Sequence, residues 1–198
     1  MGSINRISTI EVESANGTRE ISLYTRHLMN RKVFLTGEIT DESAIEIVSQ
    51  LMFLQDESDE EISLYINSPG GAVNAGLMIM DVLEGMKLPV NMYCIGMAAS
   101  MAAVILASGK KGHRYILPHS EVMIHEPLLS GGTGGSATSI KRKAESILET
   151  KDILNRILSK HTGKTVREID EATAYDNYMN AKECVDFGIC DKIVKTIF

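Results

Sequence analysis

Apolar positions along the chain recur at two spacings, and the alternation between them predicts strand–helix units. Arg31-Lys32-Val33-Phe34-Leu35-Thr36-Gly37 reads as a buried strand stopped by glycine. Thr40 or Asp41 then caps a helix with an apolar stripe at Ala44, Ile45, Val48, Leu51 and Met52. Residues 61–66 form a second strand, which Asn67-Ser68-Pro69-Gly70-Gly71 is expected to interrupt sharply, and a helix follows over about 74–85. Residues 90–95 give a third strand, and Ser100 opens a helix running to about Ser108-Gly109. Two short strands, 114–117 and 121–124, lie around Pro118. The order strand, helix, strand, helix, strand, helix argues for an α/β fold with a largely parallel sheet and right-handed crossovers.

The first twenty residues are polar, carry the turn signal Asn16-Gly17, and read as an arm or a short hairpin. The richest glycine segment is Ser130-Gly131-Gly132-Thr133-Gly134-Gly135-Ser136. It reads either as a surface loop or as backbone that admits another chain closely. Ile140, Ala144, Ile147, Leu148, Leu154, Ile157 and Leu158 then recur at helical spacing, predicting one long amphipathic helix over about 137–160. A helix of that length is expected to stand out from the body and meet another subunit. Thr165 with Glu168, and Asn180 with Glu183, are capping boxes, Gly188 ends the second short helix, and residues 193–198 read as a final strand. No repeat or linker divides the sequence, so residues 1–198 are expected to form one domain with an excursion at about 128–160.

Composition narrows the function classes. A net charge of −6 repels a phosphate backbone. The one basic cluster, Lys141-Arg142-Lys143, falls inside a helical pattern and reads as solvated surface. No nucleic-acid partner is expected, and no apolar stretch has membrane-spanning length. The start, Met1-Gly2-Ser3-Ile4, lacks the features of a signal peptide. Cys94, Cys184 and Cys190 are odd in number and without CxxC spacing, which fits a reducing, cytoplasmic compartment, with Cys94 a small core residue. His27, His113, His119, His125 and His161 are scattered without HExxH, and neither GxGxxG nor GxxxxGK[ST] occurs, so no metal or cofactor is expected.

Three stretches carry candidate chemistry. In Ile95-Gly96-Met97-Ala98-Ala99-Ser100-Met101-Ala102-Ala103 a hydroxyl stands among small residues between a strand and a helix. Serine there reads as a helix cap or as a nucleophile, and the segment alone leaves both open. His125 ends the strand Val122-Met123-Ile124. Its neighbour Glu126 faces the other side and is excluded as its orienting carboxylate, because adjacent strand residues alternate. Asp176, in Tyr175-Asp176-Asn177-Tyr178, completes a nucleophile, base and orienting acid in the chain order Ser, His, Asp. Acyl transfer also needs donors for a developing oxyanion, and the N–H groups of Gly71 and Met101 are a plausible pair.

Taken together, Phe34-Leu35-Thr36-Gly37, Tyr65-Ile66-Asn67-Ser68-Pro69-Gly70-Gly71, Gly96-Met97-Ala98-Ala99-Ser100-Met101, Met123-Ile124-His125-Glu126-Pro127, His161-Thr162-Gly163 and Asp176-Asn177-Tyr178-Met179 closely resemble the Clp protease proteolytic subunit, the caseinolytic ClpP-type serine peptidases. The resemblance covers nearly the whole chain from Leu23 onward. It implies a ClpP/crotonase-like α/β fold with a protruding handle helix and an axial N-terminal segment, 1–20. It implies Ser100 as nucleophile, His125 as base and later acid, Asp176 as orienter, and Gly71 and Met101 as oxyanion donors. Substrate would lie extended as an added strand against Gly70, Ala72 and Val73 and against Pro127, Leu128 and Leu129. Partners would be six further subunits in a heptameric ring, a second stacked ring, unfolded polypeptides, and an AAA+ Clp unfoldase of the ClpX or ClpA/ClpC type, which would carry the nucleotide. Three features depart from the family pattern. Residues 8–12 lack proline, Tyr175 stands where arginine commonly precedes the orienting aspartate, and the 130–136 segment is longer and richer in glycine. They raise the expectation of one of two paralogous ClpP subunits, of low activity or a structural role until it meets a partner ring. A crotonase-like acyl-CoA enzyme is the nearest alternative chemistry.

Overall fold

The computed structural model describes residues 9–14, 17–129 and 134–197. Near the start, β1 (Thr9–Ser14) and β2 (Gly17–Ser22) pair antiparallel with Ser14 opposite Gly17. Paired strands, rather than an arm, therefore occupy the described part of the 1–20 segment. Residues 1–8, 15 and 16, like the 130–133 part of the glycine-rich segment, lie outside the described residues. The Ser22 hydroxyl then caps α1 (Leu23–Met29), a helix the hydrophobic pattern does not announce.

Among the described residues the main sheet has seven strands. β3 (Lys32–Ile39), β4 (Ile62–Gly71) and β5 (Val90–Ala99) run parallel as neighbours, joined through α2 (Asp41–Glu57) and α3 (Val73–Gly85). After β5 the chain enters α4 (Met101–Ser108), and the sheet divides. The first half of β5 pairs with β6 (Arg114–Ile116), which pairs in parallel with β9 (Lys192–Ile193). Its second half pairs with β7 (Glu121–Ile124), which pairs antiparallel with β8 (Asn177–Asn180). The remaining helices are α5 (Ala137–Thr162), α6 (Val166–Thr173) and α7 (Ala181–Phe187).

Local sequence explains the elements. Thr40 and Ser43 form a reciprocal box at the start of α2, and Ala44, Val48 and Leu51 are buried. Ile45 and Met52 remain exposed while Ile47 and Leu54 are buried, so the buried stripe is rotated from the one the periodicity implies. α4 is apolar on every side and all eight of its residues are buried, which makes it the central element of the core. Both predicted capping boxes form, at Thr165/Glu168 and Asn180/Glu183. α5 buries only Leu154, Asn155 and Leu158, all in its C-terminal half, and leaves Ile140 and Leu148 at 45% and 61% exposure. The helix thus packs at one end and projects at the other.

Two expectations need correction. Asn67-Ser68-Pro69-Gly70-Gly71 does not break the strand, because β4 continues through it to Gly71, against Glu38 and Ile39 of β3. The final strand shrinks to Lys192–Ile193, with Phe198 outside the described residues. The sheet also carries a row of rings: Phe34, Tyr65, Tyr93 and Tyr115 occupy matching positions on four neighbouring strands. Successive centroids lie 5.1, 5.2 and 4.9 Å apart, so the row fixes the register of the parallel strands. On the other face of the sheet, next to Tyr115 in β6, Arg114, 2% exposed, is paired with Asp191 and donates to the carbonyls of Ala107 and His161. It ties the last turns of α4 and α5 to the sheet. No helix among the described residues is long and apolar enough to cross a membrane.

Candidate active site

Three strand ends meet above the sheet. β5 ends at Ala99, and Ser100 follows it; β7 ends at Ile124, and His125 follows it; β4 ends at Gly70-Gly71. In parallel sheets the carboxyl ends of the strands are where ligands bind.

Ser100 has φ 53° and ψ −123°, a backbone conformation normally reserved for glycine. Its N–H donates to the Met123 carbonyl at 2.8 Å, and its own carbonyl accepts from Ala103 at 3.0 Å in the first turn of α4. The turn is therefore held from β7 on one side and by the helix on the other. Ser100 occupies the cap position, yet its side chain makes no capping bond. The hydroxyl instead lies 2.8 Å from Nε2 of His125. Of the two readings of this serine, the cap reading does not account for the side chain's direction.

His125 is placed by β7 and Asp176 by β8, the strand that hydrophobic pattern missed. The antiparallel register pairs Glu121 with Asn180 and Ile124 with Asn177. Extended by one step, it sets Asp176 opposite His125. His125 Nδ1 and Asp176 Oδ1 are 3.3 Å apart. An ionised carboxylate only accepts hydrogen bonds, so the favourable tautomer carries its proton on Nδ1 and leaves Nε2 free to accept from the Ser100 hydroxyl. Glu126 points elsewhere, to Lys151 at 2.9 Å, as the alternation of strand residues requires.

The Gly-Gly pair lies against this line. Gly70 and Gly71 have φ of 93° and 153°. A Cβ on Gly70 would sit 2.7 Å from Cβ of Ser100 and the carbonyl of Ala99, and one on Gly71 would sit 2.2 Å from the Ile39 carbonyl. Both positions exclude any side chain. Ala72 donates to the Ile39 carbonyl at 2.8 Å. In a parallel ladder this turns Gly71's own N–H to the opposite edge, toward β5, whose pairing with β4 ends at Ser68 and Ala98. Met101 is the first residue of α4, so its N–H is one of the helix's unused donors.

A cleft of about 550 Å³ includes Ser100, Met101, His125 and Gly71, with Ala72, Val73, Pro127 and Leu128 along its walls. Leu128 is 71% exposed. Gly70 lies buried behind Ser100, and Leu129 is exposed beyond the cleft wall. Apart from His125, the ionisable side chains lining the cleft are Glu38, Asp41 and Glu42, all acidic. Asp176 is behind His125 and its side chain is 60% exposed.

Several supporting residues have no motif to announce them. Ser68, 1% exposed, donates to the Gly37 carbonyl at 2.6 Å and accepts from the Gly70 N–H at 3.1 Å, so it braces the Gly-Gly end of β4. A serine two residues before a glycine pair is the available signal. Gly76 of α3 makes room for the Met101 side chain, since a Cβ there would come within 2.2 Å of Met101 Cγ. Glycine inside a helix costs about 1 kcal/mol relative to alanine, and its presence marks this close approach.

A hydroxyl, an imidazole and a carboxylate in one line, at the carboxyl ends of parallel strands, make an arrangement of the nucleophilic acyl-transfer class. The sequence model of the family described as Clp protease matches residues 15–197. The chain belongs to the Clp protease family, and with it to the Clp-type peptidases, whose mixed α/β fold it shares. Assembly into rings that work with Clp ATPases is a general property of that family.

Proposed function

We propose that this chain is the serine peptidase core of a compartmentalised protease, cleaving unfolded polypeptides delivered by an ATP-dependent Clp unfoldase. The observation that carries the reading is the Ser100 Oγ–His125 Nε2 separation of 2.8 Å, with Asp176 3.3 Å from the other ring nitrogen. A bound peptide runs extended between the edge at Gly70, Ala72 and Val73 and the edge at Pro127, Leu128 and Leu129, held mainly by main-chain hydrogen bonds. Ser100 Oγ attacks the scissile carbonyl carbon while His125 Nε2 takes the hydroxyl proton. Asp176 stabilises the imidazolium, and the N–H groups of Gly71 and Met101 stabilise the oxyanion. The intermediate collapses as His125 gives the proton to the departing amine, leaving an acyl ester on Ser100. Water, deprotonated by His125, then releases the acid and restores the hydroxyl.

Exposed apolar side chains on the projecting part of α5 fit contacts with further copies, in a heptameric ring and between two stacked rings. The unfoldase, of the ClpX or ClpA/ClpC type, carries the nucleotide. Three buried, unpaired cysteines fit a reducing compartment such as the cytoplasm. Fluorophosphonate labelling and peptide hydrolysis, measured on size-separated assemblies with Ser100→Ala as control, test the reading. Labelling confined to Ser100 supports it. Silence of the isolated chain followed by labelling on mixing with a paralogue selects a dormant ring subunit. Thioester binding without hydrolysis selects a crotonase-like enzyme.

A further inference from the structure

Outside the Ser100–His125–Asp176 line, two carboxylates meet on one cation. Lys151, in the middle of α5, places Nζ 2.9 Å from Oε2 of Glu126 and 2.8 Å from Oδ1 of Asp170. The same Asp170 oxygen accepts from Nδ2 of Asn155 at 3.1 Å, and Asn155 is only 4% exposed. Glu126 is the residue after His125, and its N–H donates to the Thr173 carbonyl at 2.8 Å. Asp170 and Thr173 belong to α6, whose end leads directly to Asp176. The Lys151 ammonium therefore joins the segment that carries His125 to the helix that delivers Asp176, and both to α5.

Lys151 neutralises a local excess of negative charge. Without it, Glu126 and Asp170 face each other as like charges on two segments that must stay together. Their separation would act on the 3.3 Å contact between His125 and Asp176, which already lies at the long end of hydrogen-bonding distance. We propose that Lys151 is a positioning residue that sets the His125–Asp176 contact, so that the packing of α5 is transmitted to the catalytic line. The inference rests on the peptidase reading of that line.

The test uses the full chain with three variants: Lys151→Met, Lys151→Arg, and Lys151→Met combined with Glu126→Gln and Asp170→Asn. Peptide hydrolysis, particle size and the ring-nitrogen NMR signals of 15N-labelled His125 are measured on each. In Lys151→Met, kcat is expected to fall about tenfold through loss of alignment. KM is expected to stay within about twofold of the parent, because ground-state binding is untouched. The His125 signals should shift toward a mixture of tautomers. Lys151→Arg, which keeps the cation, and the triple variant, which removes the repulsion, should both recover most of the rate. Parent-like ring-nitrogen signals in Lys151→Met overturn the proposal. So does a rate loss that Lys151→Arg fails to rescue and that follows loss of assembled particles. If the parent chain neither labels nor hydrolyses, the peptidase reading fails, while the ring-nitrogen comparison still decides whether Lys151 places the imidazole.

Discussion

Ser100 and Asp176 flank one imidazole and are held by different physics. Behind Ser100, which itself opens onto the cleft, the chain is close-packed: Ala98 and Ala99 are 0% and 3% exposed, α4 is wholly buried, and Gly70 leaves no room for a methyl group. Around Asp176 the surface begins. Its carboxylate is 60% exposed, Tyr175 is 87% exposed, and the segment is held by the β7–β8 edge, by the Asn177 side chain donating to the Ala172 carbonyl, and through α6 by the polar contacts of Lys151. Close-packed backbone resists displacement, whereas exposed polar contacts are weaker and are screened by salt. Ser100 is thus fixed by the fold of the single chain, and under the proposed peptidase reading Asp176 is the member of the line that a neighbouring subunit is best able to adjust.

The largest expected effect breaks the rigid side. Ser100→Ala should reduce peptide hydrolysis by about 10^4-fold or more and abolish fluorophosphonate labelling. Particle size should not change, because the hydroxyl makes no capping bond. Residual labelling at another residue would show that the reactive group has been misassigned. Asp176→Asn attacks the adjustable side. It should lower kcat by roughly 10^2- to 10^4-fold by favouring the wrong imidazole tautomer, a smaller loss than that of Ser100→Ala. Unchanged hydrolysis in Asp176→Asn would remove Asp176 from the line altogether.

The same division governs what could be read from sequence. Ser100 and His125 are each bracketed by apolar runs whose periodicity predicts a strand end, so their placement follows from local pattern. Asp176 has no such bracket. β8 is four residues long, Asn177–Asn180, with one buried side chain, Met179, and it shows neither alternation nor an apolar run. Only its pairing with β7 reveals it, and pairing is a long-range fact. The continuation of β4 through Asn67-Ser68-Pro69-Gly70-Gly71 was hidden for a related reason. Proline and two glycines signal a turn, but here β3 shifts register at Gly37 and receives the irregular strand. The aromatic row and the Lys151 contacts likewise join residues distant in sequence, each of which is unremarkable alone.

Ion pairs on the two sides sharpen the contrast. Arg114 and Asp191, 2% and 14% exposed, lie under the packed side, where they tie the last turns of α4 and α5. Burial pushes the Asp191 carboxyl up, but hydrogen bonds from Arg114 and from the Gly112 N–H outweigh it and hold the group below its ordinary value. A carboxylate depressed on folding stabilises the native state above its unfolded value, near 4, and that stabilisation is lost as pH falls through the folded value. Asp191→Asn should therefore cost about 3–5 kcal/mol at neutral pH by leaving Arg114 buried without its charge partner. Thermal melts from neutral to acid pH should show a shallower acid-side decline in this variant. An unchanged acid limb would show that other groups control acid unfolding. Added salt should leave the Arg114 pair nearly intact and weaken the more exposed contacts of Lys151.

The smallest expected effect concerns the cleft between the two sides. Among the described residues, Glu38, Asp41 and Glu42 are its ionisable wall residues besides His125. The Thr40 hydroxyl, and then Glu42's own backbone N–H, hold the Glu42 carboxyl below its ordinary value, so it is ionised at neutral pH. A peptide with lysine near the scissile bond should be cleaved faster than one with glutamate at that position, by no more than about fivefold because exposed charges interact weakly through water. The preference should appear in kcat/KM and nearly vanish at about 1 M salt, where the screening length is about 3 Å. Glu42→Gln should reduce it without altering cleavage of a neutral peptide, which offers the carboxylate no charge to attract or repel. Equal rates for the two peptides at low salt would show that the acidic wall does not face the bound chain, and a salt-independent preference would assign it to packing rather than charge.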